Sequence, residues 1–477
     1  MMKLAQKKIV VVGLGITGTA VACFLKKRRA SVIVSDLAAE VDREPQVQKM
    51  REMDIPLDLG RHSPEIFESA EIIVLSPGVS HTIEPVARAR KRGIEVMGEI
   101  ELASRFIREP IVAVTGTNGK TTTTELLGEM LKTSGYDVFV GGNIGDPLIG
   151  YVDRDQKADV IVAEISSFQL DTISKFRPQI GVLLNITADH LDRYPDFNAY
   201  AASKIRLFEN QNRNDIAILN GSDPQVRSLA ERLNSKKLYY AVLNDNEQGA
   251  LINGKKMNFR FNEPIGPGRG FLDPHALRPA DRQDEGGSEF QFRNSLDISD
   301  MKLIGRHNLE NACAAGLAAL AAGARPQAVQ KALNGFRGGA HRLEWIDQVQ
   351  DVDYYNDSKA TNVDAVIRAL MCFTRPVVLI MGGLDKGGDF QALRDPVSRH
   401  VKKLVVMGSA ADKIKAALED IVPTLAAASM TDAVEQARRA ASSGDLVLLS
   451  PGCASFDMYD NYVRRGEEFR RAVGNLK

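Results

Sequence analysis

The chain has 477 residues, 44% of them hydrophobic and 26% charged, a composition that excludes disordered, collagen-like and coiled-coil classes. Lys+Arg and Asp+Glu both number 61, so the formal net charge is zero. A protein that coats nucleic acid needs surplus positive charge, and this one has none overall. The length suggests three domains at ~100–200 residues each. Four scattered cysteines with no CxxC or Cys/His cluster fit a reducing cytosol, and neither a disulfide framework nor a zinc site. Cys453, in a Gly/Ser-rich stretch with no His nearby, reads as a small packed residue.

Residues 9–25 are uncharged and flanked by Lys7-Lys8 and Lys26-Lys27-Arg28-Arg29. They are too short and too rich in Gly and Thr for a membrane span, which needs about 20 predominantly apolar residues. A strand, a Gly turn and a helix are expected, with the basic cluster at the helix C-terminus. No other stretch is long enough to span a bilayer, so the expectation is a cytoplasmic protein without membrane or nucleic-acid partners.

Ten short apolar runs follow one another: 9–12, 32–34, 72–75, 111–114, 160–163, 180–186, 216–219, 377–381, 404–407 and 446–449. Most are continuous, and many lead into helix-like stretches. That pattern belongs to parallel sheets buried on both faces, whose ligands gather at the C-terminal strand ends. The runs group into an α/β protein of three domains, 1–98, 99–338 and 339–477. The Ala-rich stretch 312–322 is expected to be a buried helix, and Gly335, Gly338 and Gly339 a hinge. Residues 243–300 are polar and rich in Gly and Pro, so irregular strands and an extended surface loop are expected there.

The first run leads into Gly13-Leu-Gly15-Ile-Thr-Gly18 and a helix; the second ends at Asp36. Together they match the dinucleotide fingerprint, a glycine turn at a helix N-terminus plus an acid for a ribose. A tight turn without ligand, or any nucleotide diphosphate in place of NAD, fits as well. The second domain opens with an apolar run, then Thr115-Gly116-Thr117-Asn118-Gly119-Lys120-Thr121-Thr122 and a helix. This is a compact phosphate loop: backbone N–H groups cradle phosphates, Lys120 offsets their charge and the Thr121 hydroxyl suits Mg²⁺. It departs from GxxxxGK[ST] because Val114 stands at the first Gly position. Glu164 ends the next run and is placed to hold Mg²⁺, although Ser166-Ser167 also reads as a helix cap. His190, between Asp189 and Asp192, is as much a ligand as a structural residue on these grounds. Lys204, on an apparently exposed amphipathic helix, reads as a solvated surface lysine.

The motifs GTNGKTTTTELLGEM, VGGNIGDP, EISSFQLDT, LNITADHLDRY, YAASKIRLFEN, GRHNLENACAA, AHRLEW, NDSKATN and LSPGCASFDMYDNYVRRGEEF resemble the Mur ligases, the ATP-dependent amide ligases of peptidoglycan precursor synthesis. The resemblance covers essentially the whole chain. It implies a Rossmann-like N-terminal domain, a central P-loop ATP-binding domain with a mainly parallel sheet and a Rossmann-like C-terminal domain. The end domains resemble the member that adds D-glutamate to UDP-N-acetylmuramoyl-L-alanine, which implies those substrates with ATP, and the expected state is a monomer.

By that resemblance Ile16, Thr17, Asp36 and Leu37 lie by the uridine half, and Ser76 and Asn143 by the diphosphate and sugar. Glu164 and His190 hold Mg²⁺ with Thr121, and Lys204 becomes a CO₂-derived carbamate facing the metal, which reverses its surface reading. Asn311 contacts adenine and Asp357 the ribose. Lys359, Thr361, Lys386, Ser455 and Tyr462 form the D-glutamate site, with His341 and Arg342 at the hinge facing ATP and substrate. The family has Phe where this chain has Tyr462, and 243–300 is expected to be longer than in other members. Rival readings are a nicotinamide-dependent dehydrogenase, a non-catalytic nucleotide switch, or a ligase for another amino acid or for folate.

Overall fold

In the computed structural model, residues 2–190, 193–241, 243, 247–262 and 291–476 are described. Three sheets follow one another along the chain. The first contains β1 (Lys8–Val12), β2 (Ser31–Asp36), β3 (Leu57–Leu59), β4 (Ile72–Leu75) and β5 (Glu95–Gly98), in the order β3-β2-β1-β4-β5, all parallel. Residues 9–25 form β1, a glycine turn and the helix Ile16–Lys27, as the sequence implies. Among the described residues no helix is long and apolar enough to cross a membrane.

The second sheet contains β6 (Ile111–Thr115), β7 (Val138–Gly142), β8 (Val160–Glu164), β9 (Ile180–Leu183), β10 (Ile216–Asn220), β11 (Lys236–Tyr240), β12 (Gly249–Asn253), β13 (Lys256–Asn262) and β14 (Gln291–Asp297). Its order is β14-β13-β12-β11-β10-β9-β6-β8-β7. The seven strands from β11 through β7, with β12, run parallel; β12, β13 and β14 pair antiparallel. The expectation of irregular strands in 243–300 is therefore corrected. Met257, Phe259, Phe261 and Leu296 alternate inward and pack on the buried helix Arg306–Ala321, which fixes a regular register. The expected surface loop falls largely on 263–290, outside the described residues.

The third sheet contains β15 (Glu344–Val349), β16 (Val352–Asn356), β17 (Val377–Gly382), β18 (Val401–Met407), β19 (Thr424–Ala426) and β20 (Leu446–Leu449), in the order β15-β16-β20-β17-β18-β19. All ten apolar runs are strands, because a strand covered on both faces must be apolar throughout. β6, β8, β10, β17 and β20 are buried at every position. In the first sheet the strand order reverses at β1 and in the second at β6, which opens a crevice at the C-terminal strand ends.

The helix Glu99–Ser104 ties the first sheet to the second. Glu101 accepts 2.9 Å hydrogen bonds from the amides of Ser174, Lys175 and Phe176, and one from Arg105 Nε at 3.0 Å. Glu99, only 1% exposed, accepts from Ile149 N at 2.6 Å through Oε1, while Oε2 has no partner among the described residues. Burial pushes the Glu99 carboxyl from 4.5 up to about 7. The folded protein therefore holds this proton after the unfolded chain has lost it, and stability falls as pH rises between those values. Glu99→Gln is expected to melt with the parent at about pH 5 and above it at about pH 8 in thermal scans. Equal midpoints at both pH values would contradict a charging cost at this junction.

Candidate active site

The site forms where the C-terminal ends of the three sheets converge. In the second domain β6 runs into the phosphate loop, and Gly119 takes φ +86° before the helix Lys120–Thr133 begins. A side chain there would be strained and would collide with Asn311. No side chain caps this helix, so its first amides remain for an anion. Lys120 Nζ turns back on the loop and donates to Gly116 O at 2.9 Å and Thr117 O at 2.8 Å.

Thr121 Oγ1 donates to Glu164 Oε2 at 2.6 Å, and Asn143 Nδ2 to Glu164 Oε1 at 2.8 Å. Burial would raise the Glu164 pKa. The charges of Lys120 and Lys359 and these two hydrogen bonds outweigh it and hold the acid ionised, below its ordinary range. Ser166 does cap the following helix, in a capping box with Gln169. From the third domain Lys359 Nζ reaches Thr121 Oγ1 at 3.0 Å and lies 5.0 Å from the Tyr462 ring centre. Burial, then the Arg342 charge, lowers the Lys359 pKa to about 7.

Lys204 overturns the surface reading. It is 1% exposed, its Nζ donates to Gly116 O at 2.8 Å, and it stands 4.6 Å from the Tyr200 ring centre. Burial, then the charge of Lys120, pushes its pKa well below the lysine range. The sequence misleads because the helix Phe197–Ile205 presents a polar residue on its buried face. His190 takes φ +57° and packs edge-on against Phe168. Burial leads its pKa down to about 4, and the acting charges are Asp189, Lys386, Lys120 and Lys204. Asp192 lies outside the described residues.

Three cavities surround the loop. One, of about 590 Å³, lies over the glycine turn of the first domain and is lined by Ile16, Thr17, Asp36, Leu37, Ser76 and Asn143 among others. The six residues expected around the UDP moiety thus share one cavity. Asp36 is tied to backbone: its oxygens accept from Leu14 N at 2.5 Å and Ala38 N at 2.7 Å. A Cβ at Gly18 would overlap the Gly13 carbonyl, so the glycine there sets the close helix–strand approach.

A second, narrow cavity of about 70 Å³ lies between the second and third domains. Asn118, Gly119, Thr122, Asn311, Arg342, Asp357 and Lys359 line it. Burial pushes the Asp357 carboxyl up to about 7, even with Ser450 Oγ donating to it at 3.0 Å. The third, of about 340 Å³, brings Thr361 and Lys386 together with Asp189 and Asp364. Lys359 and Tyr462 stand by the phosphate loop instead, and Ser455 is buried at 3% exposure, so the expected D-glutamate residues do not share one wall. His341 is 6% exposed. Its Nδ1 meets Asn356 Nδ2 at 2.9 Å, so the ring packs inside the third domain and does not face the cavity.

The sequence reading missed several residues that hold this arrangement. Asn185, at the end of β9, exchanges two hydrogen bonds with the backbone of Asn118. Asp364 and Asn362 grip the Asn118 side chain. Arg465, 2% exposed, donates to Ser358 Oγ and O and to the carbonyls of Cys453 and Ala454 at 2.8–3.2 Å. Nothing in a helix reading RRGEEF marks one arginine as buried.

A three-sheet α/β chain with a phosphate loop between two further cavities is a nucleotide-using enzyme that brings separate substrates together. Three family models match along it: the Mur ligase MurD-like N-terminal domain (7–98), the Mur ligase middle domain (114–319) and the Mur ligase glutamate ligase domain (341–453). The UDP-N-acetylmuramoylalanine--D-glutamate ligase of Desulfatibacillum aliphaticivorans is 48% identical over 475 residues, covering 100% of both chains. The enzyme of the same name from Desulfosudis oleivorans is 45% identical over 99% of this chain and 97% of its own. The solved pseudomurein peptide ligase type C of Methanothermus fervidus shares the fold with TM-score 0.60 at 20% identity, covering 99% of this chain and 100% of its own. The chain belongs to the Mur ligase family.

Arg465→Met would take the donor from the buried carbonyls of Ser358 and Cys453, each costing ~1–3 kcal/mol. The third domain's unfolding in urea is expected to shift by about 3 kcal/mol or more. A shift below about 1 kcal/mol would show that these loops do not depend on Arg465.

Proposed function

We propose that this chain joins D-glutamate to the L-alanine carboxylate of UDP-N-acetylmuramoyl-L-alanine, with ATP converted to ADP and phosphate, in cytoplasmic peptidoglycan precursor synthesis. The full-length identity to ligases of that name supports the reaction. The observation that carries the chemistry is the phosphate loop flanked by Lys120, Lys204 and Lys359, between a cavity over the glycine turn and one holding Thr361 and Lys386. A hydride-transfer enzyme has no use for this loop. Residues 1–98, 99–338 and 339–477 each present one face of the reaction.

The alanine carboxylate attacks the γ-phosphate, forming an acyl phosphate and releasing ADP. Lys120 and the uncapped amides of the helix Lys120–Thr133 meet the phosphate charge. The D-glutamate amine then attacks the acyl carbon and phosphate leaves. Lys386 and Thr361 hold the dicarboxylate through charge-assisted and hydroxyl hydrogen bonds. Asn143 lines the first cavity and bonds Glu164, so it links the UDP-sugar end to the phosphate loop. Asn311 and Asp357 line the narrow cavity as adenosine contacts.

The oxygen donors Thr121 and Glu164, with the acid held ionised, fit a hard divalent cation. Bound there, Mg²⁺ supplies further charge neutralisation at the phosphates. Among the described residues no three His, Cys, Asp or Glu cluster as a metal site, so Thr121 and Glu164 would hold the ion together with groups from outside the protein. His190 and Lys204 form the other half of the set. Lys204 donates to a carbonyl, Gly116 O, and burial lowers its pKa toward the neutral amine. Its nitrogen adds to CO₂ and loses a proton, giving a carbamate, a metal-binding anion in place of a buried amine.

Phosphate release from ATP with UDP-N-acetylmuramoyl-L-alanine is expected to require D-glutamate over L-glutamate, L-lysine or diaminopimelate. Absence of D-glutamate-dependent release at any Mg²⁺ concentration would overturn the reading. Lys204→Ala is expected to lose activity and to regain part of it with added short carboxylates. Undiminished turnover in that variant would refute the carbamate.

A further inference from the structure

The helix Val363–Leu370 of the third domain is a partition between two cavities. Ala365, Arg368 and Ala369 line the narrow cavity by the phosphate loop, and Val363, Asp364 and Ile367 line the cavity that holds Lys386. The two sets lie at helical spacing on opposite sides of one short helix. Any shift of this helix therefore alters both cavities.

The helix is fastened to the phosphate loop at its first turn. Three donors converge on Asp364 Oδ2: Asn118 Nδ2 at 2.7 Å, Arg368 Nε at 2.7 Å and Thr187 Oγ1 at 3.3 Å. The cap residue Asn362 accepts from Ala365 N at 2.9 Å, and its Nδ2 donates to Asn118 Oδ1 at 3.3 Å and to Asp189 Oδ2 at 3.0 Å. Both ends of the Asn118 amide are thus held by the third domain, while its backbone exchanges two hydrogen bonds with Asn185. Asn118 is part of the loop that meets phosphate. Its side chain carries the position of that loop across the domain boundary.

We infer that Asp364 is a positioning residue that couples nucleotide occupancy of the phosphate loop to the amino-acid cavity by seating the helix Val363–Leu370 on Asn118. The inference rests on the ligase reading for the identity of the amino acid, and on the geometry alone for the coupling. With the helix seated, Lys386 and Thr361 share one cavity with Asp189 and Asp364. Without it, the third domain keeps its own fold and loses its register against the second. Charge-assisted bonds of this length are the stronger class, so one carboxylate is enough to set that register.

The test compares the full-length parent with Asp364→Ala and Asp364→Asn. In the alanine variant the KM for D-glutamate is expected to rise about ten-fold or more, with the KM for UDP-N-acetylmuramoyl-L-alanine unchanged. A non-hydrolysable ATP analogue should tighten D-glutamate binding in the parent and leave it unchanged in the variant. Asp364→Asn keeps the size and one acceptor oxygen but loses the charge, and should lose part of this coupling; it carries the test if the alanine variant does not fold, and full parent-like coupling in it would then overturn the inference. Small-angle scattering without ligands should give a larger radius of gyration for Asp364→Ala than for the parent. Parent-like amino-acid KM and coupling in a folded Asp364→Ala would overturn the inference, as would identical scattering. A parent without D-glutamate-dependent turnover would refute the ligase reading, and the scattering comparison would still decide the coupling.

Discussion

Gly116 lends one carbonyl oxygen to two buried lysine amino groups, Lys120 at 2.9 Å and Lys204 at 2.8 Å. A third lysine, Lys359, arrives from another domain on the neighbouring Thr121. Burying like charges this close is costly, and burial is the leading reason that all three pKa values are lowered. Glu164 is the carboxylate within hydrogen-bond reach of the loop helix at Thr121. A site of this kind holds a standing demand for anions, which a triphosphate and a carbamate satisfy. The loop geometry, the uncapped helix and the third domain's approach all serve that demand.

The three sheets supply what the loop alone cannot. Strand ends place the glycine turn, Glu164, the Lys359 loop and the Lys386 loop around one centre, and side chains cross between them. Asn143 joins the first cavity to Glu164, Lys359 joins the third domain to Thr121, and Asn118 is clasped by Asn362 and Asp364. Arg465 fixes the segments on which Ser358 and Cys453 lie, and so the base from which Lys359 extends. Reaction among three substrates needs orientation as well as charge, and this network sets it before any substrate arrives.

Much of the fold was legible because continuous apolar runs have few alternatives. Ile111–Thr115, Val377–Gly382 and Leu446–Leu449 are apolar throughout since both faces are covered. β12, β13 and β14 were harder to read: exposed on one face, they carry Lys, Arg and Asn among their apolar residues and resemble a loop. The phosphate loop, Glu164 and the first cavity were readable from local motifs. Lys204 was not, because a lysine gives no local sign of burial; only the family resemblance pointed to it. Asp364 and Arg465 act through contacts between segments distant in sequence, and no spacing rule reveals those. His341 was placed at the cavity by resemblance, and here it packs against Asn356 instead.

The claim that the loop is an anion site strained by its own lysines has a direct thermodynamic readout. Lys359, held at about 7 in the ligand-free protein, is largely neutral at about pH 7.5 and should regain a proton when a triphosphate raises its pKa. Calorimetric titration of a Mg²⁺-bound, non-hydrolysable ATP analogue, repeated in buffers of different ionisation enthalpy, counts the protons taken up. The account predicts net proton uptake that disappears in Lys359→Met. Binding with no proton exchange, or with proton release, would contradict it.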